Sequence, residues 1–143
     1  LADTGFGSGL LEPVALVDGL VSRQGAWTFR TVQLDDGSWQ LHEQRAGAWQ
    51  THYTIPSETT YPADVEVANF ATSHRPTSRF VLQVVVMRKD EERLRALIGR
   101  RFTVETPAGQ VEERTVGDDE LGGVLRDLGL SLTADQLTAL GGR

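Results

Sequence analysis

The sequence predicts an α+β fold: an antiparallel β-meander or small β-barrel, a linking helix, then a second antiparallel sheet closed by C-terminal helices. Three observations predict it. From Val14 to Ile55, apolar and polar residues alternate in short runs with a period of two, as a half-buried strand requires. Around residues 57–62 the alternation stops at a proline-flanked connection, Pro56 to Pro62. After Gly117 the apolar spacing becomes Leu121, Val124, Leu125, Leu128, which is i, i+3, i+4, i+7 and lines one face of a helix.

The strand runs are "VALVDGLV", "AWTFRTVQL", "SWQLHEQR" and "AWQTHYTI". Asp35-Asp36-Gly37 and Arg45-Ala46-Gly47 offer the turns between them, because glycine accepts the positive φ of a tight hairpin. Trp27, Trp39 and Trp49 recur at about one hairpin arm, which suits core or rim packing better than a binding platform. Asp64 is the expected N-cap of the helix "DVEVANFATSH", and Pro76 must end that helix or kink it. "RFVLQVVVMR" is too apolar for a one-sided strand and reads as the centre of a sheet covered on both faces. "RLRALIG" and "RRFTVET" follow, and Pro107-Ala108-Gly109 turns the chain into "QVEERTV". Asp118 or Asp119 is expected to cap the next helix. Thr133 is expected to cap a last one, "ADQLTAL", with Gly141 as its terminator.

Composition narrows the function. A chain of 143 residues with 39% apolar and 24% charged residues can bury a core. No apolar run approaches the roughly 20 residues of a membrane helix, and no signal-peptide pattern opens the chain, so the expected location is cytoplasmic with no membrane partner. A net charge of -6 disfavours a phosphate backbone, so nucleic acid is not an expected partner. There is no cysteine, which excludes disulfides, thiolate zinc sites and a cysteine nucleophile from these residues.

Few residues advertise chemistry by themselves. His42 and His52 stand ten residues apart on neighbouring predicted strands and can meet across a hairpin, yet no carboxylate or cysteine accompanies them or His74 at metal-ligand spacing. They read as rim histidines, and no metal is expected. Asp90-Glu91-Glu92 and Arg100-Arg101 read as solvated strand ends. "GFGSG" lacks the lysine and hydroxyl of a phosphate loop. Asp3, beside that turn, reads as a local hydrogen-bonding residue when taken alone.

Two stretches together say more. "LADTGFG" and, some sixty residues later, "DVEVANFATSHRPTSRF" resemble the arylamine N-acetyltransferase family. Asp3, Gly5, Phe6 and Gly7 match its Asp-Val-Gly-Phe-Gly motif. Asp64, Glu66, Val67, Asn69, Ser73, Pro76, Ser78 and Phe80 match its later helix and Ser-Thr-His-Pro-x-Ser-x-Phe motif. "RRFTVETPAGQVEERTV" and the helix after it are similar to the family's closing segment. The resemblance runs over nearly all of these residues and over the latter half of a family member.

What the resemblance implies is specific. Residues 1–61 would be part of a β-barrel domain carrying the triad carboxylate, and residues 62–143 a linking helix and α/β lid domain. Asp3 would be the third member of a Cys-His-Asp triad whose Cys and His lie in a missing N-terminal half. Gly5 and Gly7 would let backbone approach the pocket, and Phe6 and Phe80 would line it, although plain core packing is the simpler reading of Phe80 beside "VLQVVV". No cofactor would be tightly bound. Acetyl-CoA would be the acetyl donor, and an arylamine or hydrazine the acceptor. Thr4, Phe70 and His74-Arg75 depart from the family pattern and leave the acceptor open, since relatives include amide synthases that close macrolactams. A non-catalytic β-barrel binding module is the rival from another class.

Overall fold

The structure is a computed structural model that describes residues 1–3 and 7–141. Its first sheet contains β1 (Val21–Gln24), β2 (Trp27–Gln33), β3 (Trp39–Arg45) and β4 (Ala48–Ile55), antiparallel and in sequence order. The sheet is an open meander, not a closed barrel, and β1 and β4 are its two edges. Its period-two pattern buries one face: Trp27, Phe29 and Thr31 from β2, Leu41 and Glu43 from β3. Trp27 is the core tryptophan, whereas Trp39 and Trp49 are half-buried. The Arg30 guanidinium lies 4.5 Å above the Trp49 ring.

Tight turns join these strands. Gly25 stands at φ 60 between β1 and β2, where a Cβ would come within 2.4 Å of the Glu91 carbonyl oxygen. Only glycine fits both demands. Ala46 and Gly47 follow at φ 48 and 81, so both central residues of the β3–β4 turn are left-handed, as a type I′ hairpin requires. The expected strand over Val14–Leu20 does not form; β1 starts at Val21. A turn takes its place, in which the Val17 carbonyl accepts from the Leu20 amide at 3.0 Å and from the Thr31 hydroxyl at 2.7 Å, and the backbone of the run meets β2 at Thr31, which accepts the Gly19 amide and donates to the Leu20 carbonyl.

The second sheet contains β5 (Val85–Lys89), β6 (Leu94–Ile98), β7 (Arg101–Thr106) and β8 (Gly109–Thr115), also antiparallel and in sequence order. β5 is an edge strand, so "RFVLQVVVMR" does not cross a sheet centre. Its first residues form instead a single helical turn, α2 (Arg79–Leu82), because the Ser78 hydroxyl accepts the Phe80 amide and the Ser78 carbonyl accepts the Val81 and Leu82 amides.

Helix α1 (Pro62–His74) begins with Pro62 in its first turn, where a missing amide costs nothing. Asp64 is therefore the third helical residue, not the N-cap. Its carboxylate reaches back to the Tyr61 amide at 3.0 Å. Arg75 leaves the helix in extended conformation before Pro76, as a pre-proline residue must. α3 (Asp118–Asp127) is capped at Gly117 by Glu120, whose carboxylate accepts the Gly117 amide, so neither Asp118 nor Asp119 is the cap. Leu121, Val124, Leu125 and Leu128 form a core with Leu97 and Val116. In α4 (Ala134–Gly141), Thr133 and Gln136 cap each other reciprocally, and Gly141 is the last helical residue.

Two compact units result. One is Leu1–Thr59 with Lys89–Leu94 and Val104–Val111; the other is Thr60–Arg88 with Arg95–Thr103 and Glu112–Arg143. Within the first, the Trp27 indole donates to the Asp90 carbonyl at 2.8 Å, and the Ala46 amide to the Pro107 carbonyl at 2.7 Å. None of the described helices is long and apolar enough to cross a membrane.

The left-handed Ala46 generates a prediction. Ala46→Asn should stabilise the chain by roughly 0.5–1 kcal/mol, since asparagine tolerates that conformation better. The urea midpoint reads this, and an unchanged or lower midpoint would show that the turn is not strained.

Candidate active site

The segment before β1 has little regular structure, so side chains must hold it. The Leu1 carbonyl accepts the Val14 amide at 2.8 Å. Buried Gln24 clamps the far side: its Oε1 accepts the Leu11 and Glu12 amides at 2.7 and 3.0 Å, and its Nε2 donates to the Glu12 carbonyl at 2.9 Å. The Ser8 carbonyl accepts from Lys89 Nζ at 2.9 Å and faces His52 Nε2 at 3.2 Å. Gly5 and Phe6 lie outside the described residues. Gly7 is exposed at φ 74.

Asp3 is half-buried where two open clefts meet. One is lined by Leu1, Ala2, Asp3, Tyr53 and Thr54, the other by Ala2, Asp3, Leu10, Leu11, Glu12 and Pro13. Tyr53 lines the first of these clefts with it. Burial and the neighbouring Asp3 carboxylate push the Tyr53 pKa above the usual phenol value, so the phenol stays neutral. The open cleft leaves the Asp3 carboxylate within reach of a donor.

A β-bulge decides what the histidines do. Leu41 pairs with Tyr53 and His42 with Thr51, which leaves His52 as the extra residue of β4. The bulge places the His52 and Tyr53 rings 5.8 Å apart although they are sequence neighbours. The two histidines thus serve different partners. His42 Nδ1 is 3.3 Å from an Arg30 nitrogen and its Nε2 is 2.9 Å from Gln40 Oε1, an arrangement that suits the neutral ring with its proton on Nε2. His52 faces Ser8 and, at 3.7 Å, Glu43. Burial lowers the pKa of both, and Arg30 adds to the effect at His42. Among the described residues, no three His, Asp or Glu side chains are grouped as metal ligands would be.

Beneath this segment lies a charged cluster that sequence reasoning missed. Glu43 accepts from Lys89 at 2.6 Å and from Arg45 at 2.7 Å, and Arg45 also reaches Glu105 at 2.9 Å. The Lys89 ammonium sits 4.0 Å from the Trp27 ring centre and 4.6 Å from that of Phe29. Burial lowers the Lys89 pKa, and its bond to Glu43 opposes that shift. The available signal was Glu43 two residues after Leu41, on the face that alternation buries. Nothing comparable marked Lys89, whose partners are remote in sequence.

Phe80 belongs to the second compact unit, and Asp3 to the first. Phe80 is 56% exposed, so the core reading of this side chain does not hold. It lines an open cleft with Ala71, Thr72, Arg75, Thr77, Ser78 and Arg79.

A family profile described as N-acetyltransferase matches residues 1–137. The chain belongs to the arylamine N-acetyltransferase family. No curated protein matches it. Among solved structures, the arylamine N-acetyltransferase of Mycobacterium abscessus is 27% identical with a TM-score of 0.84, covering 95% of this chain and 51% of that one. The Nocardia farcinica arylamine N-acetyltransferase is 30% identical with a TM-score of 0.82, covering 96% and 50%. The Mycobacterium marinum arylamine N-acetyltransferase, solved in complex with CoA, is 24% identical with a TM-score of 0.66, covering 82% and 46%. This chain thus spans about half the length of the arylamine N-acetyltransferase structures it matches.

Two expectations follow. Because Phe80 is exposed, Phe80→Ala should lower stability by less than ~1 kcal/mol, against the ~3–5 kcal/mol of a buried phenylalanine, as read by a melting curve. Because His42 and His52 are held below the ordinary histidine value, the unfolded chain binds more protons near pH 6 than the folded one. Stability should then be fully present above about pH 6.5 and fall as the pH drops through that value. Urea midpoints at pH 7.5 and 5.5 measure the slope, and a His42→Gln/His52→Gln double variant should flatten it.

Proposed function

We propose that this chain is the C-terminal part of an arylamine N-acetyltransferase that moves an acetyl group from acetyl-CoA, through an active-site cysteine, to an arylamine or hydrazine nitrogen. The observation that carries this reading is Asp3, matched to the family motif and half-buried at an open cleft that a neutral Tyr53 also lines. The CoA bound to the Mycobacterium marinum relative supports acetyl-CoA as donor. We assign no tightly bound cofactor and a cytoplasmic location, with neither nucleic acid nor membrane as partner.

The residues divide the work by their chemistry. A cysteine thiol is mostly protonated at neutral pH and needs a histidine to become a thiolate. That thiolate attacks the thioester carbonyl, CoA leaves as its thiol, and the amine nitrogen attacks the acyl-cysteine while losing its proton to the histidine. Asp3 accepts the other ring N–H of that histidine, fixing its tautomer and stabilising the imidazolium. Tyr53, a neutral phenol, lines the cleft beside the carboxylate. Gly5 and Gly7 let backbone approach the pocket, and Phe6 and Phe80 shape it. The chain holds no cysteine, so the thiol would come from a missing N-terminal half, and the family pattern places the triad histidine there too, ahead of Asp3.

The test follows CoA release from acetyl-CoA with an arylamine present. The 143-residue chain alone should release none above background, and adding the N-terminal half should restore turnover. Turnover by the chain alone would sink the triad assignment. In the full-length enzyme, Asp3→Asn should leave folding intact and lower turnover by about 10⁴-fold, on the precedent of triad carboxylates elsewhere. Phe80→Ala should change the ratio of rates on two arylamines.

A further inference from the structure

We propose that the buried Glu43–Lys89 ion pair, together with His52, is a positioning device for the triad carboxylate: it anchors the Ser8 carbonyl and so the backbone that carries Asp3. The proposal rests on the assignment of Asp3 given above.

The argument begins with what an ion pair is doing in an apolar core. The Glu43 and Lys89 side chains are 2% and 3% exposed, wedged against Trp27 and Phe29. A well-packed apolar pair of similar volume would serve stability as well or better, so stability alone does not account for two buried charges here. Their geometry does. Both carboxylate oxygens of Glu43 are occupied, Oε1 by Lys89 and Oε2 by Arg45, which holds the ammonium at one point. From that point Lys89 donates to the Ser8 carbonyl, 81 residues away in sequence.

His52 adds a second donor to the same oxygen. A carbonyl can only accept, so the facing Nε2 must carry the ring proton. The bulge in β4 is what brings His52 to this position. Two donors from separate strands therefore fix one carbonyl of a segment that has no ladder of its own. Among the described residues, Ser8 is the first pin on the C-terminal side of Asp3; the next, Gln24, holds Leu11 and Glu12. Loss of the Ser8 pin would move the first described anchor on that side of Asp3 to Leu11, and displacement of a catalytic group by about 1 Å can cost on the order of 10²-fold in rate.

The experiment uses the full-length enzyme. Lys89→Met alone would leave Glu43 Oε1 buried without its donor, so the variant of choice is Glu43→Gln/Lys89→Met, which removes both charges and keeps the shape. His52→Leu, which leaves the ion pair untouched, is measured beside it, and Asp3→Asn is the reference. Three readouts apply: amide hydrogen exchange over residues 7–11, the pH profile of iodoacetamide alkylation of the catalytic cysteine, and the separate values of kcat and KM. The double variant should exchange faster over residues 7–11. Its alkylation profile should move towards that of an ordinary thiol, in the direction of Asp3→Asn, and kcat should fall by about 10²-fold with the acetyl-CoA KM unchanged. His52→Leu should move the same readouts in the same direction by less.

A changed Asp3→Asn profile beside unchanged exchange and alkylation in a folded double variant overturns this proposal alone. An unchanged Asp3→Asn profile overturns the triad assignment and this proposal with it. Should the double variant not fold, His52→Leu decides, and an unchanged alkylation profile there overturns the proposal.

Discussion

Glu43 places a carboxylate on the same buried face as Trp27, Phe29 and Leu41, and the first compact unit is organised around meeting that charge. A charge removed from water is tolerable only when paired and fully hydrogen-bonded. Arg45 supplies one partner from the same strand, two residues on. The other has to come from far along the chain, and it is Lys89, at the end of β5. The tie helps explain why Lys89–Leu94 clusters with the first sheet and why the division into units does not follow a single cut in sequence.

The same cluster reaches the segment that carries Asp3. Hydrogen bonds from side chains substitute there for secondary structure: Gln24 at Leu11 and Glu12, Lys89 and His52 at Ser8. Such pinning orients a backbone without committing it to a ladder, and it leaves Asp3 accessible at a cleft. Tyr53 lines the same cleft from β4, on the residue next to the bulge. One local irregularity in a strand thus sets the direction of two side chains, one towards the loop carbonyl and one towards the cleft at Asp3.

The second unit is held differently. α3 contributes Leu121, Val124 and Leu125 to an apolar core that Leu97 and Val116 complete. α1 buries no residue and leaves Tyr61, Val65, Val67 and Phe70 exposed, so capping by Asp64 and the entry through Pro62 are what define its start. Phe80 shares this exposed character on the turn of α2, which the Ser78 hydroxyl organises. That capping bond is local and strong enough to divert an apolar run from the strand that its composition suggests.

Periodicity determined much from sequence alone. β2, β3 and β4 occupy the alternating runs, α3 follows its apolar spacing and α4 its Thr133 cap, because each depends on residues within one turn or one hairpin of each other. The motifs around Asp3 and Asp64 together likewise carry the resemblance to the arylamine N-acetyltransferase family in the sequence itself. Tertiary structure decided the rest. Whether Val14–Leu20 found a ladder, whether β5 lay at a centre or an edge, and which way His52 turned at the bulge all depended on partners remote in sequence. The pairing of Glu43 with Lys89 is the plainest case: burial makes the charge need a partner, but only the folded chain brings residues 46 positions apart within 2.6 Å.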